Sequence, residues 1–248
     1  MKIIGVIPAR YKSSRFEGKP LADIFGKPMI WWVYQQVKKV KELAEVYVAT
    51  DDERIWKVCE ELGIKSIMTS DKHLTPTDRL YEFSQKVEAD WYICVNGDEP
   101  LISEVTIQKV IPKEVLAKEH IYVANIITSI KNPVEAVDST NLKVVRNREG
   151  RGIYISRQPV PYPKGSMDFE YKKHVGVLAF NAQALTFYNN TQRGVIETIE
   201  DIDLMRFIEN NKEVHFIDVE SDTLSVDTEK DLEQVKIIIF EKEGYKIE

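Results

Sequence analysis

The segment KIIGVIPARYKSSRFEGKPLADIFGKPMI, residues 2–30, decides the fold. It opens with the apolar run 3–7, which is typical of a parallel strand buried on both faces. A loop follows, and from Pro28 onward apolar residues recur at helical spacing. A strand, a loop and a helix in this order predict the first unit of a doubly wound α/β sheet, which binds ligands where its strands end.

Strand and helix patterns continue to alternate through the first half of the chain. Further strands are predicted at residues 46–49, 64–68 and 91–95, with helices between them at 51–62 and 80–87. Thr50 and Asp51 are candidate caps of the first of these helices. Alternation at this spacing predicts right-handed crossovers, and therefore a doubly wound, mostly parallel sheet.

The rhythm changes after Val123. Residues 142–146 and 152–156 are predicted to pair around a turn, and a Pro-rich stretch leads to a further strand at 174–180. We interpret this block, at about residues 140–190, as an inserted β-rich arm that provides dimer contacts. A helix at 196–210, a strand at 214–219 and a closing helix at 228–240 complete one domain spanning residues 1–248.

Composition excludes several classes of protein. A net charge of −6 over 248 residues argues against general nucleic-acid binding. No apolar run approaches the ~20 residues of a membrane span, and no signal peptide is recognisable, so we expect a cytoplasmic enzyme. Cys59 and Cys94 lie in apolar segments and are interpreted as core residues.

The loop after the first strand is rich in cationic side chains despite the acidic chain: Arg10, Lys12, Arg15, Lys19 and Lys27. Together with Ser13, Ser14 and backbone N–H groups near Gly18, these side chains predict a site for a triphosphate. A solvated charged loop is the alternative. Neither the Walker pattern nor the GxGxxG turn is present, which argues against kinase-like and dehydrogenase-like functions.

Two aspartates are candidate metal ligands. Asp98 follows the predicted strand 91–95 within the turn VNGDEP, and Asp227 precedes the closing helix within SVDTEKDLE. Carboxylates of this kind suit Mg²⁺, which binds through one or two of them plus phosphate oxygens. The alternative is that each aspartate only caps the helix behind it, where Thr228 and Asp231 also form a candidate capping box.

A set of motifs resembles the CMP-Kdo synthetases, the 3-deoxy-manno-octulosonate cytidylyltransferases. The motifs are PARYKSSRFEGKPL, GKPMI, ATDDE, MTSDKHLTPTDRL, VNGDEP and SVDTEKDLE, and they occur in family order over nearly the whole chain. The resemblance implies a nucleotide-diphospho-sugar transferase-like fold. It also implies transfer of a cytidylyl group from CTP to 3-deoxy-D-manno-octulosonate (Kdo) or a related acidic sugar, with Mg²⁺ as cofactor, for lipopolysaccharide or capsule synthesis.

The resemblance also implies roles for individual residues. The nucleotide side comprises Pro8, Ala9, Arg10, Ser13, Arg15, Lys19, Arg79, Asn96 and Asp98, with Arg79 near the base. Asp98 and Asp227 match the metal ligands, and Lys19 and Arg10 would stabilise the departing pyrophosphate. The acid-sugar side comprises Arg157, His174, Glu197 and Glu200, with His174 donating to a sugar hydroxyl; solvated helix acids are the alternative for the two glutamates.

Several positions that face the acceptor differ from the family pattern, so the identity of the acid acceptor is left open. Pro76 stands where a glycine is usual, Asn96 where a glutamine is usual, and the glutamine common after position 203 is absent. The alternative acceptors are 8-amino-Kdo, a sialic-acid-like sugar and a non-sugar acid. The alternative functions are a metal-dependent glycosyltransferase and an inactive nucleotide-binding module. A homodimer is expected from the resemblance and from the prevalence of two-fold assemblies.

Overall fold

The computed structural model describes residues 1–13, 15–112, 120–166, 168–221 and 223–243, and every structural statement concerns these residues. Ser14, one of the predicted anion-binding residues, lies outside them. The strands are β1 (Ile3–Ala9), β2 (Asp23–Ile24), β3 (Lys27–Pro28), β4 (Glu45–Thr50), β5 (Ser66–Met68), β6 (Trp91–Val95), β7 (Val123–Ser129), β8 (Lys143–Arg146), β9 (Gly152–Ser156), β10 (Lys172–Asn181) and β11 (Val214–Asp218).

Helices connect most of these strands. They are α1 (Met29–Lys38), α2 (Glu53–Glu61), α3 (Pro76–Lys86), α4 (Glu104–Val110), α5 (Pro133–Val137), α6 (Ala182–Asn190), α7 (Val195–Glu200), α8 (Met205–Glu209) and α9 (Glu229–Glu243), with a short 3₁₀ helix at Lys19–Leu21. None of the helices in the described ranges is both long and apolar enough to cross a membrane.

The predicted doubly wound, mostly parallel sheet is confirmed. Its order is β11-β7-β10-β6-β1-β4-β5, and β1 pairs in parallel with both β4 and β6. β10 runs antiparallel to its neighbours β6 and β7. The carboxyl ends of β1 and β6 therefore lie side by side at one edge.

The region predicted as an arm is joined closely to this sheet. β8 and β9 form a hairpin that pairs with the first residues of β10. The strand predicted at residues 174–180 is part of β10, which lies inside the sheet, because its run from residue 175 onward is buried on both faces. The hairpin and the connection 157–171 thus remain as the peripheral part of the block.

Two other boundaries differ from the sequence-based prediction. Residues 196–210 form two helices, because Asp201 takes a left-handed conformation with φ 53° and ends α7. The cap of α2 is Asp52, whose side chain accepts from the Arg54 N–H, while Asp51 pairs with Arg79.

Apolar clusters cover both faces of the sheet, and a third cluster brings the chain ends together. Val226 and Leu232, just before and within α9, pack with Ile24, Met29 and Trp32 around the start of α1. Because burial of apolar area drives this contact, the segment containing Asp227 is held beside the loop that follows β1.

Candidate active site

The last residues of β1 and the turn after β6 form the floor of the site. Pro8 and Ala9 end β1, and Gly97 lies against them. A Cβ atom on Gly97 would come within 3.0 Å of the Pro8 carbonyl oxygen. Glycine at this position therefore allows the VNGDEP turn to lie directly beside the strand that precedes the cationic loop.

Lys19 joins the two candidate metal ligands. Its ammonium lies 2.7 Å from Asp98 Oδ2 and 3.5 Å from Asp227 Oδ1, and it also donates to the Val226 carbonyl at 2.9 Å. Arg15 reaches Asp227 Oδ1 from the solvent side at 3.0 Å. The structure thus brings together two carboxylates that are remote in sequence and places both on one cation.

Glu99 holds the two carboxylate-bearing segments together. Its buried carboxylate accepts from Thr223 Oγ1 at 2.7 Å, from Ser225 Oγ at 2.5 Å and from the Gly176 N–H at 3.1 Å. Burial and the charge of Asp98 raise the pKa of Glu99, and these three hydrogen bonds oppose the rise. The strand-like segment before α9 is consequently fixed to the VNGDEP turn.

Other side chains bond the first N–H groups of the helices that follow the two candidate metal ligands. Ser103 caps α4 by accepting from the Thr106 N–H. At the start of α9, Asp231 accepts from the Thr228 N–H at 2.8 Å, as the predicted capping box requires. The carboxylates of Asp98 and Asp227 are left to bind cations.

The pair fits a magnesium ion by its donor chemistry. Both side chains offer hard oxygen ligands, and they already converge on the position of one positive charge. Mg²⁺ commonly takes one or two carboxylates and completes its shell with phosphate oxygens and water. Among the residues described, no group of three or more His, Cys, Asp or Glu side chains is placed to hold a metal. The remaining ligands would come from substrate and water.

A solvent-open depression, the loop cleft, is lined by Arg10, Lys12, Ser13 and Glu17 of the loop after β1. Three of the predicted anion-binding residues are thus gathered there. Lys27 is directed elsewhere, with its ammonium 5.8 Å from the centre of the Trp31 ring. The arrangement supports a phosphate site, without Lys27, in the same loop that carries Arg15 and Lys19, the partners of Asp98 and Asp227.

A second and more enclosed depression of about 230 Å³, the main cleft, is also bordered by Arg10. Its polar lining includes Arg10, Asn96, Arg157, His174, Asp201 and Asp203. Asn96 also donates its backbone N–H to the Gly176 carbonyl at 2.8 Å, which ties the VNGDEP turn to β10. Because Arg10 borders both depressions, a ligand can occupy them together.

Arg157 is fixed in the main cleft by backbone oxygens. Its guanidinium donates to the carbonyls of Glu200 at 2.6 Å, Ser139 at 3.1 Å and Asp201 at 3.1 Å. Of the five guanidinium N–H groups, three are used in this way, and the other two have no partner among the residues that the structure describes. The planar fork is pre-positioned and can still bind a carboxylate.

Glu200 positions Arg157. Its carboxylate accepts from the Arg157 N–H at 3.0 Å and from Ser156 Oγ at 2.7 Å. Burial favours a higher pKa for Glu200, but these hydrogen bonds outweigh it and the pKa is lowered. Glu200 therefore contacts the residue predicted to bind the acid, and its carboxylate remains ionised.

Glu197 lies away from the cleft, contrary to its predicted role in substrate binding. It is fully buried, and its carboxylate accepts from Arg206 at 2.6 and 2.7 Å and from Arg193 at 3.1 Å. Two arginines satisfy this buried charge. Its position supports a structural role and not a contact with a sugar.

Arg79 is likewise buried, with 4% of its surface exposed. Its guanidinium binds Thr69 Oγ1 and Asp51 Oδ2, the latter at 2.8 Å. The residue thereby joins α3 to the ends of β4 and β5. The predicted contact with the nucleotide base stays a prediction, and the structure adds a role in holding the edge of the sheet.

Three contributors were missed by the sequence analysis: Glu99, Asp203 and Asn125. The partners Thr223 and Ser225 lie 124 and 126 positions from Glu99, so no local pattern reveals its role. Asp203 lines the main cleft and accepts from Thr77 Oγ1 at 2.6 Å. Asn125 interrupts the apolar run of β7, which is the one signal that could have marked it.

Comparisons with known proteins place this geometry in a family. A cytidylyltransferase family model matches residues 4–214. The 3-deoxy-manno-octulosonate cytidylyltransferase of Escherichia coli is 38% identical over 238 residues, covering 96% of each chain. The enzyme of the same name from Parabacteroides distasonis is 38% identical, covering 94% of this chain and 96% of the other.

Solved structures agree with the sequence relatives. A CMP:2-keto-3-deoxy-manno-octonic acid synthetase complexed with CTP matches with a TM-score of 0.87 and 38% identity, covering 98% of this chain and 100% of that one. The inositol-1-phosphate CTP transferase of T. maritima, at 15% identity and a TM-score of 0.71, shares the fold. By the family model and by the identity over nearly its whole length, the chain belongs to the 3-deoxy-manno-octulosonate cytidylyltransferase family.

Proposed function

We propose that the protein transfers the cytidylyl group of CTP to Kdo, giving CMP-Kdo and pyrophosphate. The observation that carries the proposal is the convergence of Asp98 and Asp227 on the ammonium group of Lys19, in a fold where Arg10 borders both the loop cleft and the main cleft that contains Arg157. Membership of the family supplies the identities of nucleotide and acid.

The reaction is a displacement at phosphorus. The anomeric hydroxyl of the sugar forms a bond to the α-phosphorus and gives its proton to water, while the bond from that phosphorus to the bridging oxygen breaks and pyrophosphate leaves with the electron pair. Such a reaction requires alignment and neutralisation of charge more than covalent help from the protein. Mg²⁺ held by Asp98 and Asp227 would act as a Lewis acid towards the α-phosphate.

The side chains divide this work according to their positions. Arg10, Lys12 and Ser13 line the loop cleft and would bind the triphosphate. Lys19 would stabilise the negative charge that develops on the departing pyrophosphate. Arg157 would bind the sugar carboxylate with its two unused N–H groups. The triphosphate and the acid would thus be bound by different side chains, with Arg10 bordering both clefts.

One observation favours a second acceptor, 8-amino-Kdo. Asp203 is one of the residues that line the main cleft, where an ammonium group on the substrate could pair with its carboxylate. The acceptor is expected to present its carboxylate to Arg157 in both cases.

A pyrophosphate-release assay tests the proposal. CTP, UTP, ATP and GTP are each offered with Mg²⁺ and with Kdo, 8-amino-Kdo or sialic acid. We expect turnover with CTP, and with Kdo or its amino derivative. No turnover with CTP and either octulosonate would refute the proposal, and release of nucleoside diphosphate from a nucleotide sugar would indicate a glycosyltransferase.

We also propose that the protein is a homodimer that contacts its partner through the hairpin β8–β9 and the connection to β10. Support comes from apolar side chains exposed in this region, Ile153, Tyr162 and Phe169, and from the prevalence of two-fold assemblies. Sedimentation of the wild-type chain and of Tyr162→Asp tests the assignment. We expect a dimer that the substitution weakens; a wild-type monomer would contradict it.

A further inference from the structure

A bulge in β10 carries one side chain of the main cleft. Between His174 and Leu178 the pairing with β7 slips, so that three residues of β10 lie opposite a single residue of β7. Bulges redirect side chains and leave backbone groups without ladder partners. Asn125 of β7 lies beside this interruption and is fully buried.

Asn125 supplies the partners that the bulge lacks. Its Nδ2 donates to the carbonyl of Val175 at 2.8 Å and to that of Val177 at 3.0 Å. Carbonyl oxygens only accept hydrogen bonds, so these two contacts identify Nδ2 as the donor end of the amide. The orientation of Asn125 is therefore fixed, and Oδ1 is the end directed towards His174.

The fixed amide determines the protonation of the imidazole. His174 Nδ1 lies 2.9 Å from Asn125 Oδ1, which only accepts, so Nδ1 must carry a proton. Burial lowers the pKa of His174 to about 4, against the opposing charge of Asp98. A neutral ring protonated at Nδ1 has a lone pair at Nε2.

That lone pair faces the main cleft. His174 is one of the residues lining it, and within the described ranges Nε2 has no hydrogen-bond partner. No side-chain nitrogen or oxygen among these residues is both sealed from solvent and unpartnered, so Nε2 is open to the cleft. It can accept a hydrogen bond from a ligand and cannot donate one.

We propose that Asn125 is a positioning residue of the main cleft, which fixes His174 as a hydrogen-bond acceptor for a hydroxyl group of the acid sugar. This reverses the donor role expected from the sequence. The identity of the ligand rests on the proposed function, whereas the state of the ring does not. An acceptor at this point selects a sugar that carries a hydroxyl there over its deoxy analogue, because Nε2 would otherwise lose a partner on binding.

Nitrogen NMR of the ¹⁵N-histidine-labelled full-length protein at pH 7.5 tests the ring directly. The four histidines of the chain are few enough for His174 to be assigned by the signal lost in His174→Gln. We expect Nδ1 protonated and Nε2 unprotonated. Protonation at Nε2, with or without Nδ1, would overturn the proposal, and this result does not depend on turnover.

Kinetics of Asn125→Asp test the positioning role. A carboxylate beside Nδ1 favours a second proton on the ring and converts Nε2 into a donor. We expect the KM for the acid sugar to rise at least tenfold while the KM for CTP changes less than twofold. Equal changes in both, or no change in a folded variant, would overturn the proposal.

Asn181→Asp is the matched control. Like Asn125, Asn181 is a buried asparagine of the sheet, but it lies at the end of β10. Its Nδ2 donates to the His120 carbonyl at 2.6 Å, outside the cleft. We expect this variant to lose stability without a change in either KM. If Asn125→Asp fails to fold, the wild-type NMR spectrum still decides the question, and total absence of cytidylyl transfer would count against the proposed function only.

Discussion

Asp98 and Asp227 form ion pairs with the same ammonium group, that of Lys19, whose Nζ lies 2.7 Å from Asp98 Oδ2 and 3.5 Å from Asp227 Oδ1. They are remote in sequence, since Asp98 belongs to the turn after β6 and Asp227 directly precedes Thr228 and α9. Their meeting depends on packing between the segment 223–227 and the VNGDEP turn, where the Val226 N–H also donates to the Asp98 carbonyl at 2.9 Å.

The first prediction concerns Glu99, which joins these segments. Glu99→Gln replaces one acceptor oxygen by a donor, so at least one of its three hydrogen-bond donors must find another partner. We expect a loss of about 1–3 kcal/mol in the free energy of unfolding. We also expect kcat to fall by up to roughly 100-fold, because Asp98 and Asp227 are no longer held at a fixed position relative to each other.

Denaturant unfolding and steady-state kinetics check this expectation. Thr223→Val is the control, since it removes one of the three donors and leaves the other two. A destabilised Glu99→Gln enzyme with wild-type kcat would show that the contact serves folding alone.

Arg157 is expected to control affinity for the acid. Arg157→Ala removes a charge-assisted contact of about 1.5–3 kcal/mol, so the KM for the sugar should rise by roughly 10- to 100-fold. The KM for CTP should change less than twofold. Arg146→Ala, which breaks a half-exposed pair with Asp218 away from the cleft, serves as the control. Parallel changes in both KM values would place the sugar elsewhere.

How much of the fold the sequence determines can be seen by comparing β1 and the hairpin β2–β3. The run 3–7 is apolar throughout and marks a buried strand without ambiguity. The hairpin of Asp23–Ile24 with Lys27–Pro28 was missed, because each strand has only two residues. It depends on positive φ angles at Phe25 and Gly26, and the phenylalanine gives no turn signal.

For the site, residue types were more predictable than contacts. Asp98, Asp227 and Lys19 were identified from motifs, and the structure brings them together. Arg79 belongs to an equally recognisable motif and Glu197 was assigned from the resemblance alone, yet both are buried in ion pairs. Whether a charged side chain faces a cleft or a partner depends on residues such as Asp51 and Arg206, whose proximity is decided by tertiary packing.

Glu197 should prove structural when it is replaced. Glu197→Ala leaves Arg206 as an unpaired buried charge and is expected to cost about 3–5 kcal/mol of unfolding free energy. Glu53→Ala, at an exposed position on α2, should cost little. In the folded fraction of Glu197→Ala, the KM for each substrate should remain within twofold of wild type. A rise in the KM of the sugar alone would restore Glu197 as a ligand.

The lowered pKa of Glu82 predicts that the protein loses stability in acid. Burial works to raise its pKa, but hydrogen bonds from Lys86, the Ser70 N–H and His73 lower it to about 2. Because the folded-state pKa lies below the ordinary glutamate value of 4.5, the stabilisation is present in full above that pH. It is lost as the pH falls towards 2.

Thermal unfolding of wild type and Glu82→Gln between pH 7 and 2 measures this contribution. We expect the wild type to have the higher Tm at neutral pH, and the difference to shrink as the solution is acidified below pH 4.5. A difference that is constant over the whole range would contradict the assignment.

The most direct test of the central claim is an anomalous difference map from crystals grown with CTP and Mn²⁺. We expect a peak for one metal ion at coordination distance, about 2.0–2.2 Å, from both Asp98 and Asp227, with the Lys19 ammonium moved onto the triphosphate. A metal bound to the triphosphate with neither carboxylate in its shell, or with only one of them, would contradict it.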